Sequence, residues 1–453
     1  MKPRHIHFIG IGGIGVSGIA QLALKHGEKV TGSDLRASAI TQKLVRLGAE
    51  IFIGHEAGHV VGADLVVYSS AIRQDNAEIM EARKNNIPVK KRAEFLNDLM
   101  TDKTVVTVTG AHGKTTTSSL AAKLLLTAGL KPTVAVGGIL REDGDNMKFG
   151  DSSYFVAEAD ESDGTFLCYT PTYSLITNID REHLDYYGTY EALRAAFETF
   201  VRRTKPGGCV IYFQQDRVLE RIVTQSGVRS VSYGMTPEAD LYPLNLSLAP
   251  CRLSFDCASG SRVLGRIEMG LVGRHNIANA LAVVALGREM GLGFGVIQSA
   301  LKGFKGVERR FQVKYETKDI FVVDDYAHHP TEIAATIEAA RLCTRKRVVV
   351  VFQPHRFSRT KLLLDLFPRS FEKSDYLVVT DIYGAGEDPV EGVTAQGLTE
   401  SIRSMTHLPV DYVAKEMIVG HLRERIQKDD LVLFLGAGDI TRISDEFAKS
   451  LRA

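Results

Sequence analysis

Apolar residues in the first hundred positions fall in short runs, HIHFIGIG, KVTGSD and DLVVYSS, separated by stretches with helical spacing such as SAITQKLVRLG. Short apolar runs alternating with amphipathic stretches predict βαβ units and a parallel sheet, with ligands at the carboxyl ends of its strands. The polar stretch PVKKRAEFLNDLMTDK, residues 88–103, reads as a connection to a second block. That block starts with TVVTVTG, continues through YFVAEADESD and YSLITNID, and adds a helix around residues 189–203 and the strand CVIYF. From about residue 230 to 270 the pattern shifts to short β-like pieces, LNLSLAP, CRLSFDC and RIEMGL, ahead of the apolar helix NIANALAVVALGREMG. A β-rich subdomain is expected there. Alternation returns after GFKGVERRF with DIFVVDDY, TEIAATIEAARLC, RVVVVFQP, YLVVTDIY and DLVLFLGAG. The predicted class is α/β, in three domains over residues 1–100, 101–306 and 307–453.

Length agrees with this division, since 453 residues suggest about three domains. With 24% charged residues and a net charge of +1, no global electrostatic footprint recommends nucleic acid or an acidic membrane surface as partner. The run after Lys2 and Arg4 imitates a signal peptide, but its glycines fall at dinucleotide-loop spacing and no small-residue cleavage site follows. No apolar run approaches the ~20 residues that span a bilayer. Five scattered cysteines read as reduced thiols in a cytoplasmic protein.

Candidate chemistry sharpens the picture. The segment from Thr104 to Gly129 couples a strand, a glycine turn and a helix, the context of a phosphate-binding loop. Gly110 and Gly113 let backbone N–H groups close on phosphate oxygens, Lys114 supplies a point charge, and the Thr115 hydroxyl suits Mg²⁺ at the helix N-terminus. Gly10, Gly12, Gly13 and Gly15 form another turn between strand and helix, with Asp34 ending the next strand. Such a turn takes any diphosphate, so a nicotinamide cofactor stays an alternative, as does glycine used for packing alone. Glu158, Asp160, Glu161 and Asp163 follow the strand YFVA, and His183 follows YSLITNID. Carboxylates beside a phosphate loop suit Mg²⁺, although acid runs are usually solvated and a lone histidine is usually structural. Asn276 and Asn279 lie one turn apart at a helix start, placed to face a base edge or, for Asn276, to cap the helix. Arg309, Arg310, Arg356 and Arg359 are fork-shaped donors that gather with His328, His329 and His355 near predicted strand ends. Any single one of these arginines reads equally well as a plain surface residue.

Taken together, GIGGIGVSGIA, GAHGKTTT, EADESD, NIDREHLD, GRHNIANALA, RRF, DDYAHHPTE and PHRFSRT, in this order over essentially the whole chain, resemble the Mur ligase family. The resemblance implies an N-terminal Rossmann-like domain for a UDP-sugar, a central P-loop ATPase-like domain, and a C-terminal Rossmann-like domain for nucleotide and amino acid. The implied reaction uses ATP and Mg²⁺ to join the lactyl carboxylate of UDP-N-acetylmuramate to the amine of L-alanine through an acyl phosphate, in peptidoglycan precursor synthesis. A family member that attaches a tripeptide instead is the alternative. Carried over residue by residue, Gly10, Gly12, Gly13, Gly15, Asp34, Ser69 and Ser70 take the UDP-sugar. Gly110, Ala111, His112, Gly113, Lys114, Thr115 and Thr116 hold ATP phosphates, while Thr115, Glu158 and His183 hold the metal. Asn276 and Asn279 contact adenine, Arg310 reaches phosphate, and Asp325 with Tyr326 completes the ATP site. His328, His355, Arg356 and Arg359 form the amino-acid site, with His328 or His355 as the base for the amine. The expected catalytic set is Lys114, Glu158, His183, Arg310, His328 and His355. Ala111 stands where threonine is usual, and Glu198 falls where related ligases carry a carbamylated lysine, so a plain carboxylate is expected to replace the carbamate. The resemblance leaves a homodimer open.

Overall fold

Strand His5–Ile9 is buried at every position, as a strand flanked by others and covered on both faces must be. It lies inside a five-stranded parallel sheet ordered Glu50–Ile53, Lys29–Asp34, His5–Ile9, Leu65–Tyr68 and Val89–Lys91. The structure, a computed structural model, describes residues 3–69, 71–141, 145–249, 252–343 and 347–452. Strand order reverses beside His5–Ile9, so the glycine turn that follows it sits at the switch point where open α/β sheets bind ligands. The polar segment expected to be a connection is instead the edge strand Val89–Lys91 and the helix Arg92–Met100. Ala93, Phe95, Leu96 and Met100 bury one face of that helix, and Phe8 meets Phe95 edge-on at 5.9 Å. Lysines at the edge strand and acids on the outer helix face hid this pattern from a hydropathy reading.

The second sheet has seven strands, ordered Ser230–Tyr233, Cys209–Phe213, Tyr173–Ile176, Thr104–Thr109, Tyr154–Glu158, Thr133–Leu140 and Asp145–Lys148. Thr104–Thr109 is paired in parallel on both sides, with Tyr173–Ile176 and Tyr154–Glu158. The turn after it is therefore bracketed by the ends of those two strands. One apolar cluster runs from Ile6 and Phe8 through Phe155 and Phe166 to Val223, and joins the two sheets in one body.

By compactness the chain divides into two units: one takes in both sheets up to Leu241 plus Ala282–Ile297, the other holds Arg141, Tyr242–Leu281 and the chain from Gln298 on. The β-rich stretch is an antiparallel sheet of Tyr242–Ala249, Arg252–Ser259 and Arg262–Met269. The remaining sheet orders Gln312–Glu316, Ile320–Asp325, Asp430–Leu435, Arg347–Phe352, Tyr376–Val379 and Val410–Tyr412, with only the first strand antiparallel. Its two faces are covered by separate apolar clusters, around Val323, Val350 and Leu433 and around Val322, Val349 and Phe434. The α/β class expected from the pattern is the class that forms. Among the described residues no helix is long and apolar enough to cross a membrane.

Candidate active site

The chain leaves strand Thr104–Thr109 through Gly110 at φ +123° and enters helix Lys114–Thr127 from Gly113 at φ +84°. Glycine alone holds such angles freely, and a Cβ on Gly110 would lie 2.3 Å from Thr177 Oγ1. The neighbouring strand end clamps the turn. His112 N–H donates to Asn178 Oδ1 at 2.9 Å, and Thr177 Oγ1 and Asn178 Nδ2 donate to His112 O at 2.6 and 3.0 Å. His112 Nε2 lies 2.9 Å from Asp180 Oδ2. Ala111 keeps its place in the cradle by donating its N–H to Asn178 O at 3.2 Å, and Thr115 and Thr116 fall in the first helical turn.

Lys114 Nζ donates to Gly110 O at 2.7 Å, Ala111 O at 3.2 Å and Glu161 Oε1 at 2.8 Å. Burial works against its charge, but Glu161, Asp160 and Glu158 outweigh it and raise the lysine pKa. Glu158 accepts from Thr115 Oγ1 at 3.1 Å, Ser118 Oγ at 3.2 Å and Gly137 N at 2.9 Å; burial pushes its pKa up against the pull of Lys114. Glu161 is 1% exposed. Burial opposes its charge too, yet Lys114 and His183 hold its pKa below the ordinary carboxyl value. His183, at φ +58°, puts Nε2 3.5 Å from Glu161 Oε1 and 3.7 Å from Glu182 Oε2. Burial lowers its pKa and Glu161 raises it, with a net upward shift. These carboxylate and hydroxyl oxygens are hard donors of the kind Mg²⁺ takes. The buried Glu161 Oε2 has no hydrogen-bond partner, and ligand atoms of Glu161, Glu182 and His183 lie within 4.8 Å of one another. The donor set fits a divalent cation.

In the first sheet the glycine turn is tied to the end of the neighbouring strand Lys29–Asp34: Gly10 and Ile11 N–H donate to Ser33 O at 2.9 and 3.0 Å, and Gly12 N–H donates to Asp34 Oδ2 at 2.8 Å, while Gly13 N–H closes the turn onto Gly10 O at 3.1 Å. Asp34 thus braces the turn, a duty its place at the strand end did not announce. A pocket of about 290 Å³ is lined by Gly13, Gly15, Ser69 and Arg92 from this part and by Glu158 and Asp160 from the second sheet. Its size is near the low end of ligand sites, ~300–1,000 Å³.

In the other unit Asn276 Nδ2 donates to Val272 O at 2.6 Å and Asn279 Nδ2 to Asn276 Oδ1 at 3.0 Å. Both side chains share a helix face, and Asn276 reaches back to a carbonyl rather than capping N–H groups. Burial and the Arg310 charge push the adjacent His275 down to about 4, so it is neutral. Asp325 accepts Phe311 N–H at 2.6 Å and Ala327 N–H at 2.8 Å; burial, opposed by Arg310, pushes it up to about 6. Arg309 and Arg310 lie over the Tyr326 ring at 5.0 and 5.3 Å. His328 and His355 face each other with ring centres 5.5 Å apart. His355 Nδ1 takes an N–H from Arg359 at 3.0 Å; burial, then His328, Arg359 and Arg356, push its pKa down to about 3. Arg356 lies 3.9 Å from Glu387. All four residues expected for the amino acid therefore meet at one edge of this sheet.

Three family descriptions match in sequence: Mur ligase family, catalytic domain, over residues 5–104; Mur ligase middle domain over 108–287; and Mur ligase, glutamate ligase domain, over 309–438. The chain belongs to the Mur ligase family. It is 48% identical over 445 residues to the UDP-N-acetylmuramate–L-alanine ligase of Anaeromyxobacter dehalogenans, covering 98% of this chain and 97% of the relative. The enzyme of that name from Desulfosudis oleivorans is 46% identical over 448 residues, with 98% of each chain covered. Among solved structures, UDP-N-acetylmuramate-alanine ligase MurC from Thermotoga maritima superposes with a TM-score of 0.84 at 30% identity over 99% of both chains. A murein peptide ligase from Psychrobacter arcticus shares the fold, with a TM-score of 0.69 at 23% identity, covering 99% of this chain and 98% of that one.

Two expectations for this Mur ligase change. Glu198 is no carbamate substitute: it sits on the outer face of helix Tyr190–Arg202, about half exposed, with Oε1 2.7 Å from Arg202. Leu193, Ala196, Phe197 and Phe200 take the inner face, so helical phase turns Glu198 to solvent. The carboxylates beside His183 are Glu161 and Glu182, and an acid run read without its backbone path could not rank Glu161 above its neighbours. Ser70 lies outside the described residues. Sequence reading also passed over Arg92 and the fully buried Glu78, which accepts from Ser33 Oγ at 2.7 Å and meets His7 at 3.2 Å, His55 at 2.8 Å and His59 at 2.9 Å.

Proposed function

We propose that this Mur ligase joins the lactyl carboxylate of UDP-N-acetylmuramate to the amine of L-alanine, with ATP supplying the energy. The observation that carries the reading is the shared pocket. Glycine-turn residues suited to a diphosphate, Gly13 and Gly15, open onto the same cavity as Glu158 and Asp160, beside the Lys114 loop. A carboxylate held from the first side faces a phosphoryl donor held from the second.

A carboxylate oxygen is a poor leaving group until it is phosphorylated. The lactyl carboxylate attacks the γ-phosphate to give an acyl phosphate and ADP, and the amine then attacks the acyl carbon with loss of phosphate. Lys114, cationic among its three carboxylates, neutralises charge spread over the transferring oxygens. Thr115, Glu158, Glu161, Glu182 and His183 are the residues that would hold Mg²⁺, which supplies charge neutralisation when bound. Asn276 and Asn279 are assigned to adenine, Asp325 to the ribose and Arg310 to phosphate. Arg356 and Arg359 are assigned to the alanine carboxylate, for which a guanidinium fork is the matching donor. The attacking amine must lose a proton. His355, with a pKa near 3, is too weak a base for that task, so His328 is assigned it.

The test is phosphate release measured with ATP, UDP-N-acetylmuramate and an amino-acid panel that includes the tripeptide. Release only when L-alanine completes the mixture supports the reading; release with the tripeptide alone, or hydride transfer to a nicotinamide, replaces it. Lys114→Met should abolish product while circular dichroism stays native.

A further inference from the structure

Lys114 has three Nζ hydrogens, and its three contacts use them all: two loop carbonyls and Glu161 Oε1. The backbone of Glu161 stays beside the loop if the lysine leaves, because its carbonyl accepts Tyr187 Oη–H at 2.6 Å and Gly164 N–H at 3.2 Å. Its second carboxylate oxygen is buried without a partner. Glu158 differs, since its oxygens already accept from Thr115, Ser118 and Gly137. Removing one member of a buried ion pair leaves an uncompensated charge, which is far more costly than the pair itself was worth. A phosphate-loop lysine has to reach the nucleotide phosphates. Lys114 therefore cannot serve triphosphate and Glu161 at full strength together, and a triphosphate brought beside Glu161, then left with only the longer 3.5 Å contact to His183, adds repulsion.

We infer that Glu161 couples cation binding to nucleotide binding: Lys114 is its counter-ion while the loop is empty, and a divalent cation takes over that role when Lys114 turns to phosphate. The inference rests on the reading of Lys114 as the phosphate-binding lysine. Oε2 is the oxygen available to the cation, with Glu182 as the neighbouring carboxylate. Glu161 thus has two partners in turn, holding the lysine while the loop is empty and offering Oε2 to the cation when it is filled. Coupling of this kind is reciprocal, so the cation tightens nucleotide and nucleotide tightens the cation.

The experiment is calorimetric titration of the full-length protein with ADP, in EDTA and in Mg²⁺, for wild type and Glu161→Gln. Wild type should gain about 5- to 150-fold in ADP affinity from Mg²⁺. In Glu161→Gln the lysine is released, so ADP affinity in EDTA should exceed that of wild type, and the gain from Mg²⁺ should shrink by roughly tenfold. Glu161→Asp, which keeps the charge, should retain most of the gain. A reciprocal measurement covers the case in which Glu161→Gln fails to fold. Mn²⁺ titrated by electron paramagnetic resonance into nucleotide-free Lys114→Met should bind about tenfold tighter than to wild type, because the competing counter-ion is gone. Wild-type Mg²⁺ dependence in Glu161→Gln, or unchanged Mn²⁺ affinity in Lys114→Met, overturns the coupling. If wild type binds no ADP in either buffer, the fault lies instead with the phosphate-loop reading.

Discussion

His328 and His355 share an edge of one sheet, but their surroundings divide the work. His355 receives an N–H from Arg359 and is ringed by cations, so it stays neutral down to about pH 3 and contributes no inflection to an alanine-dependent rate profile above that. His328 Nδ1 lies 3.1 Å from Tyr326 O and 3.5 Å from Glu332 Oε2, partners that hold the ring in place and leave Nε2 as the nitrogen for the amine proton. His328→Gln should therefore slow amide formation by about 10²–10⁴-fold, with acyl phosphate still trapped by hydroxylamine; His355→Gln should raise the KM for alanine more than it lowers kcat. Equal losses of kcat in the two variants would remove the distinction. Glu78 presents a different case, a fully buried carboxylate shared by three histidines and Ser33. Burial alone would raise its pKa, yet hydrogen bonds from His7, Ser33 and His59 lower it below the ordinary 4.5. The unfolded chain then takes up the proton first. The stability Glu78 contributes is complete above about pH 4.5 and is lost as pH falls through the depressed folded value. Glu78→Ala should cost about 3–5 kcal/mol in urea denaturation at neutral pH, because three imidazoles and a hydroxyl lose their acceptor. It should also flatten the acid limb of the stability profile.

At the scale of elements, the segment from Lys305 to Phe311 shows what sequence conveys and what it conceals. RRF marked Arg309 and Arg310 as functional, but what holds them lies far back in the chain: Arg141 donates to Val307 O at 3.0 Å, Lys305 O at 3.3 Å and Arg310 O at 3.0 Å. Arg309 and Phe311 both sit at positive φ, +56° and +45°, conformations that cost ~1–3 kcal/mol each and persist only when the surroundings dictate them. Arg141→Ala should lose at least about 1.5–3 kcal/mol, the worth of a hydrogen bond to a charged donor, and raise the KM for ATP through Arg310. Arg141→Lys should rescue little, since a point charge cannot span three carbonyls; full rescue would mean the fork is not needed. The Lys114 loop was legible because its determinants are local: strand, glycines, lysine and helix are contiguous. Glu161 was legible only as one acid in a run of four, and Arg92 and the Glu78 cluster not at all, because what singles each out is a neighbour distant in sequence. His5, His7, His55 and His59 look unrelated along the chain, yet Thr31 bridges the first two at 2.9 and 2.8 Å and Glu78 gathers the last three. The edge strands Val89–Lys91 and Val410–Tyr412 carry no readable periodicity because each is three residues long, with at most one of them buried.

The whole molecule is two compact units, so its unfolding should not follow a single two-state transition. Each ligand stabilises the unit that binds it, by about 2.7 kcal/mol at a free concentration one hundred times Kd. The glycine turn and Ser69, assigned to the UDP-sugar, lie in the unit that also contains Glu78. Calorimetric scans should then show UDP-N-acetylmuramate raising one transition by roughly 5–10 °C while the other stays in place. Glu78→Gln identifies which is which, because it should lower that same transition and no other. The two effects act on one unit through different residues, so the sugar should still produce its upward shift in the Glu78 variant, starting from a lower midpoint. A sugar that instead moved the transition unaffected by Glu78→Gln would place its main contacts among residues of the second unit, and the assignment of the N-terminal glycine turn would fail with it.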